Sequence, residues 1–209
     1  GPGVCWFDLD DDGWDDLIIG TGRGGAMGIF RNDGRGAFER LTTGLWAEPA
    51  LRDQAGMVAL RVVPGKASIL GGAANYEDGS TNASMIRQLA WPAQTVSDPL
   101  PGQAASTGPL ALADLDGDGV LDLFVGGRVV RGRYPQAASS WLFKGGTNGA
   151  WTLDAENSRR LAEVGLVSAA VFSDLDADGD PDLVLACEWG PLRVFRNDRG
   201  VLAEATQAW

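Results

Sequence analysis

Aspartates at positions 1, 3, 5 and 9 of a ten-residue stretch recur three times in this chain, and carboxylates at that spacing can converge on one cation. The first copy is Asp8-Leu9-Asp10-Asp11-Asp12-Gly13-Trp14-Asp15-Asp16-Leu17. The second is Asp114-Leu115-Asp116-Gly117-Asp118-Gly119-Val120-Leu121-Asp122-Leu123, and the third is Asp174-Leu175-Asp176-Ala177-Asp178-Gly179-Asp180-Pro181-Asp182-Leu183. Convergence requires a sharp backbone turn at position 6. Gly13, Gly119 and Gly179 stand there, free of a Cβ clash. Hard oxygen ligands in a flexible loop suit Ca²⁺ better than Mg²⁺ or zinc. The position-7 residues Trp14, Val120 and Asp180 are expected to add a backbone carbonyl, as the seventh residue of an EF-hand loop does.

An EF-hand is nevertheless excluded. Its loop ends in a bidentate Glu at position 12 and is flanked by helices, whereas position 12 here is Ile19, Val125 or Leu185. Each loop is followed by a short apolar run (17–19, 123–125, 183–185) that reads as a buried strand. The loop therefore joins two strands. A plain acidic turn that binds nothing is the alternative, but three copies that keep every Asp and the Gly favour a calcium site. Crowded carboxylates also repel one another unless a cation neutralises them.

The rest of the chain must position these loops. Module one (3–46) continues through the strand 27–31, an Asn-Asp-Gly turn and the strand 37–42, a hairpin pattern. With the strand before the loop this makes four strands. Module four (165–209) repeats the order, and Phe30-Arg31-Asn32-Asp33 returns as Phe195-Arg196-Asn197-Asp198. Module three (106–164) has its third strand at 140–144 and carries an insertion, 127–139. Insertions in repeat proteins gather on one face, often the binding face.

Module two (49–105) is hidden. Aligning Gly71-Gly72 with Gly126-Gly127 places Ala59, Arg61, Val63 and Ala67 against Asp114, Asp116, Asp118 and Asp122. Strands are expected at 57–62 and 68–70, with no metal ligand between them. Four strands per unit and units of 45 to 60 residues predict an all-β fold, a β-propeller of four-stranded blades. A β-sandwich is the weaker alternative. One helical turn is allowed within 154–163.

Composition sets limits on function. Net charge is −11, from 17 basic and 28 acidic side chains, and fifteen of those acids lie in the three loops. With no basic stripe, nucleic acid is not an expected partner. The chain has no His, which removes the commonest general base and imidazole metal sites. Cys5 and Cys187 could pair only if the first and last modules touch, and two free buried thiols are the favoured reading. No apolar run is long enough to span a membrane. The chain starts directly on a module without a signal peptide, so a segment of a longer protein is expected.

The pattern resembles the FG-GAP or VCBS repeat family, in which D-x-D-x-D-G-x-x-D-L is followed by L-x-x-N-x-G-x-G-x-F-x-x-x-T. The stretch 30–42, FRNDGRGAFERLT, follows that second half. The stretch 124–135 (FVGGRVVRGRYP) and Glu188-Trp189-Gly190-Pro191-Leu192 are similar to bacterial secreted proteins related to the cartilage acidic protein (UnbV/ASPIC) family. The resemblance implies a calcium-bearing propeller of the integrin α-subunit head type, usually seven-bladed and exported from the cell. Four modules make either a segment of such a ring or a smaller one.

The implied role is adhesion, or recognition of carbohydrate or extracellular protein. Candidate ligand-binding residues are Arg128, Arg131, Arg133, Tyr134, Trp141 and Trp189, because Trp faces and Arg forks suit sugars and carboxylates. A polysaccharide hydrolase or calcium-assisted lyase is the second reading. It lacks a motif, since acids outside the loops such as Glu77, Asp98 and Glu188 form no pattern. A structural spacer is the third.

Overall fold

The structure, a computed structural model, describes residues 1–207. It is 46% strand and 4% helix, an all-β chain built from four four-stranded antiparallel sheets. Each sheet is a meander whose strands pair in chain order. The first holds β1 (Val4–Phe7), β2 (Asp16–Ile19), β3 (Gly28–Asn32) and β4 (Phe38–Arg40). The second holds β5 (Gln54–Val63), β6 (Lys66–Ala73), β7 (Ile86–Trp91) and β8 (Thr95–Ser97). The third holds β9 (Ala105–Ala113), β10 (Asp122–Val130), β11 (Trp141–Gly145) and β12 (Trp151–Leu153). The fourth holds β13 (Leu166–Ser173), β14 (Asp182–Glu188), β15 (Arg193–Asp198) and β16 (Val201–Glu204). Among the described residues no helix is long and apolar enough to cross a membrane.

The chain divides into two compact units, Gly1–Gln103 and the part from Ala104 onward. In the first unit Leu9, Ile18, Ile29, Met57 and Ile69 form the core, closed by Trp46 on Trp91 with ring centroids 5.4 Å apart. In the second unit Leu115, Phe124, Leu142, Leu183, Leu185, Phe195 and Leu202 pack together. A six-residue helix, α1 (Ala155–Arg160), lies within the span where a helical turn was expected, and Asp154 caps it by accepting from Asn157 N. The Asn157 side chain is buried. It donates to Gly200 O at 2.7 Å and accepts from Leu202 N at 3.0 Å, which ties the helix to the fourth sheet.

Two features depart from the sequence reading. The β10 strand runs four residues into the segment expected to be a loop, pairing Gly127 with Thr107 and Val130 with Ala105 across two register shifts. Gly127 permits this, because a Cβ there would lie 2.1 Å from Ser139 O. The ungapped alignment of module two is also displaced. Arg61 pairs with Ala67 in the register where Ala113 pairs with Asp122. A tight turn at Pro64-Gly65, with Gly65 at φ 71°, replaces the longer acidic loop.

Phe124 is fully buried in the second unit. Phe124→Ala is expected to destabilise that unit by about 3–5 kcal/mol in urea denaturation. Val171→Ala, at a position 54% exposed, should stay within about 0.5 kcal/mol of the parent.

Candidate metal centre

Each acidic loop joins the first and second strands of its sheet, and the hairpin register closes it identically. Phe7 pairs with Asp16, Ala113 with Asp122 and Ser173 with Asp182. Inside that closure the carboxylates organise the backbone before any ligand is considered. The first Asp gathers the amides of the turn. Asp8 accepts from Asp11 N and Asp12 N through Oδ1 and from Gly13 N through Oδ2, at 2.7, 3.2 and 2.9 Å. Asp114 does the same with Gly117, Asp118 and Gly119, and Asp174 with Asp178 and Gly179. The fifth-position Asp accepts from the amide two residues on: Asp12 from Trp14, Asp118 from Val120, Asp178 from Asp180.

The turn glycine has the expected left-handed φ: 90°, 84° and 96° at Gly13, Gly119 and Gly179. A second left-handed residue precedes it at position 4, where Asp11 (66°), Gly117 (74°) and Ala177 (63°) stand. The Asp-x-Asp-x-Asp spacing does not reveal that position.

The ninth-position Asp is the most buried carboxylate of each loop, with Asp16, Asp122 and Asp182 at 1%, 4% and 0% exposure. One oxygen accepts from the second-position amide, Leu9, Leu115 or Leu175, at 3.0–3.2 Å. The other accepts from the third strand, at Asn32, Gly145 or Asn197, at 2.8–3.0 Å. This carboxylate holds loop and sheet together as well as facing the acidic cluster. Burial pushes the Asp16 carboxyl up and that of Asp122 up to about 6.

The third-position Asp meets a cation from the third strand, a partner that the sequence reading missed. Asp10 pairs with Arg31, Asp116 with Lys144 Nζ at 2.7 Å and Asp176 with Arg196 Nε at 3.4 Å. The signal was present, since each base follows a Phe: Phe30-Arg31, Phe143-Lys144 and Phe195-Arg196. Hydrogen bonding to Lys144 holds the Asp116 carboxyl below its usual range. The other oxygen is unmatched. Asp10 Oδ1 and Asp116 Oδ1 are buried with no hydrogen-bond partner.

Three carboxylate oxygens per loop lie within 4.8 Å of one another: those of Asp8, Asp10 and Asp16, of Asp114, Asp116 and Asp118, and of Asp174, Asp176 and Asp182. Oxygens so spaced fit a shared cation with contacts of about 2.3–2.6 Å. The orphaned third-position oxygens fit the same reading, because a buried acceptor lacking a donor calls for a cation or water. Asp12, Asp122 and Asp178 stand in the same loops, outside these triads. Asp180 instead accepts from Arg199 N at 2.9 Å.

The ligand candidates divide. Arg128, Tyr134 and Trp189 are brought together through Glu188. Arg131 and Arg133 are exposed nearby in sequence, and Trp141 is half-buried in β11. Four of the acids outside the loops sit in separate ion pairs: Glu77 with Arg23, Asp78 with Arg52, Asp98 with Arg87, Glu188 with Arg128. Cys5 and Cys187 are free and half-buried, and burial raises both thiols. No protein-family model matches the chain, and no curated protein matches it.

Asp122 provides a pH test. Its folded-state carboxyl titrates near 6 against an ordinary 3.8, so the fold favours the protonated form. That contribution is full below the ordinary value and is lost as pH rises through 6. Asn does not titrate. In EDTA, the stability deficit of Asp122→Asn relative to the parent should therefore shrink by about 3 kcal/mol at most between pH 4 and 7. Urea denaturation of both proteins across that range checks it.

Proposed function

We propose that this chain is a calcium-stabilised part of an extracellular β-propeller of the FG-GAP/VCBS type, serving recognition of carbohydrate or protein. The observation that carries this reading is the repetition of one loop design. In three sheets the same carboxylates bind the same backbone amides and leave a triad of oxygens facing one another. Oxygen-only sites of this flexibility suit Ca²⁺. Their exposure to solvent suits a compartment where calcium is millimolar, matching the weak affinities of extracellular modules.

The four meanders support the propeller reading, because a blade is a four-stranded antiparallel sheet paired in chain order. Leu175 supports it as well. Its counterparts Leu9 and Leu115 are 1% exposed, whereas Leu175 is 38% exposed and Val171 of β13 54%. Exposed apolar side chains of this kind are what a further blade would cover. Bound calcium would stiffen the strand-to-strand loops, and the loops on the opposite side of each strand pair would be free to vary for recognition.

Calorimetric titration with Ca²⁺ after EDTA treatment is expected to show three sites. Thermal unfolding should shift upward with calcium, by about 2.7 kcal/mol per site at a hundredfold excess over the dissociation constant. The triple variant Asp10→Asn, Asp116→Asn, Asp176→Asn should abolish both responses. A flat titration of the parent would remove calcium from the proposal.

A further inference from the structure

The surface around Trp189 is built in a way that the fold does not need. Trp189 is 83% exposed, yet it is fixed. Its backbone lies in the left-handed region, φ 58°, which bulky residues rarely adopt without a compensating reason. Its indole Nε1 donates to Tyr134 Oη, and Tyr134 Oη donates to Glu188 Oε1 at 3.0 Å. Glu188 Oε2 in turn pairs with Arg128 of β10. A strand, the loop after it and the end of β14 thus converge to hold one aromatic ring in solvent. Arg128 and Tyr134 hold the Glu188 carboxyl below its usual range, so it stays an acceptor. Leu192, 64% exposed, adds an apolar neighbour in the chain.

We propose that Trp189, Tyr134 and Glu188, with the arginines of 128–133, bind an acidic saccharide, one whose sugar ring carries a carboxylate. The indole face is a platform for the C–H face of a pyranose, and preordering by the hydrogen-bond chain reduces the entropy lost on binding. Polar groups at its edge suit the ring hydroxyls. The charge fixes the class. Glu188 already neutralises Arg128, whereas Arg131 and Arg133 are exposed and make no side-chain hydrogen bond or ion pair among the described residues. Both lie just before Tyr134 in sequence, a local positive surplus on a chain of net charge −11. Guanidinium forks match carboxylates bidentately. A polyphosphate chain would need a continuous basic stripe, which this acidic protein lacks.

The proposal rests on the recognition role stated above but not on calcium, so the two are tested separately. The test is calorimetry of the chain with a tetrasaccharide of glucuronate and with its carboxyl-reduced, neutral counterpart, in calcium and again in EDTA. The uronate form should bind at least about tenfold more tightly than the neutral one. Trp189→Ala should weaken both by about tenfold or more. Arg131→Gln with Arg133→Gln should erase the preference for the uronate form without lowering the melting temperature. Should Trp189→Ala not fold, Trp189→Phe keeps the ring and is expected to retain part of the affinity, while the arginine variants test the charge. Absence of uronate binding by the parent overturns the proposal, as does equal affinity for the neutral form or full affinity in Trp189→Ala. Three calcium sites with no saccharide binding would overturn this inference alone. Saccharide binding without calcium sites would leave it standing and remove the calcium reading.

Discussion

Two backbone amides, one from a loop and one from a strand that follows much later in the chain, converge on the same buried carboxylate in three sheets. Asp16, Asp122 and Asp182 are each the first residue of a second strand, each almost fully buried and each doubly hydrogen-bonded. This clamp ties the loop to the third strand of its sheet. The placement is energetically awkward. Burying an ionised carboxylate costs several kcal/mol unless charge or hydrogen bonds compensate, and two amides compensate only in part. The raised titration of Asp122 is the remaining imbalance. Positive charge near the loop relieves it, and the architecture supplies a tethered base on the third strand.

The tethered base explains how each loop keeps its shape with its acids charged. Arg31, Lys144 and Arg196 occupy the same register position and reach the same third-position aspartate. The third strand supplies one base against four or more carboxylates, so its neutralisation is incomplete. It also occupies only one oxygen of its partner. Asp10 Oδ1 and Asp116 Oδ1 stay buried and unpaired. The base and a cation would therefore divide the third-position carboxylate rather than compete for one atom. The acids are thus partly screened by the tethered base alone.

The meanders were legible in the sequence because apolar runs of three to five residues alternated with Asp-Gly and Asn-Asp-Gly turns, which are local signals. The acidic loops were legible from spacing alone. What spacing could not show was the division of labour inside a loop. Asp16 and Asp10 are the same residue type six positions apart, yet one is a buried clamp and the other a half-paired acceptor. The difference comes from strand register, which brings Asn32 N to Asp16 and Arg31 to Asp10 from sixteen and twenty-one positions away. The link from Asn197 Nδ2 to Leu115 O, at 2.9 Å, spans 82 residues and has no local signature. Trp189 is a ligand candidate by type, but nothing in the stretch Glu188-Trp189-Gly190-Pro191-Leu192 reveals that Glu188 connects it to Arg128 through Tyr134.

Module two shows what happens when the loop is lost. Its tight Pro64-Gly65 turn needs no cation, because no carboxylates are crowded there. The sheet does not then become independent of the acidic design. Arg61, on β5, stacks over Phe7 at 5.2 Å and donates to the carbonyls of Asp8 and Leu9, the second at 3.3 Å. Gly65 N donates to Asp11 Oδ2 at 3.1 Å. In the second unit the carbonyl equivalent to that of Leu9, at Leu115, is met by the uncharged Asn197 from a sheet that keeps its own acidic loop. A sheet without carboxylates can lend a full positive charge to its neighbour's loop. In the fourth sheet, which carries them, the group offered there is a neutral amide, and the base Arg196 is engaged with Asp176 of its own loop. The first loop, with six aspartates against four and five in the others, is the one that receives the extra guanidinium. Within the first unit, a sheet whose hairpin holds no acidic loop thus supplies positive charge to the acidic loop of its neighbour.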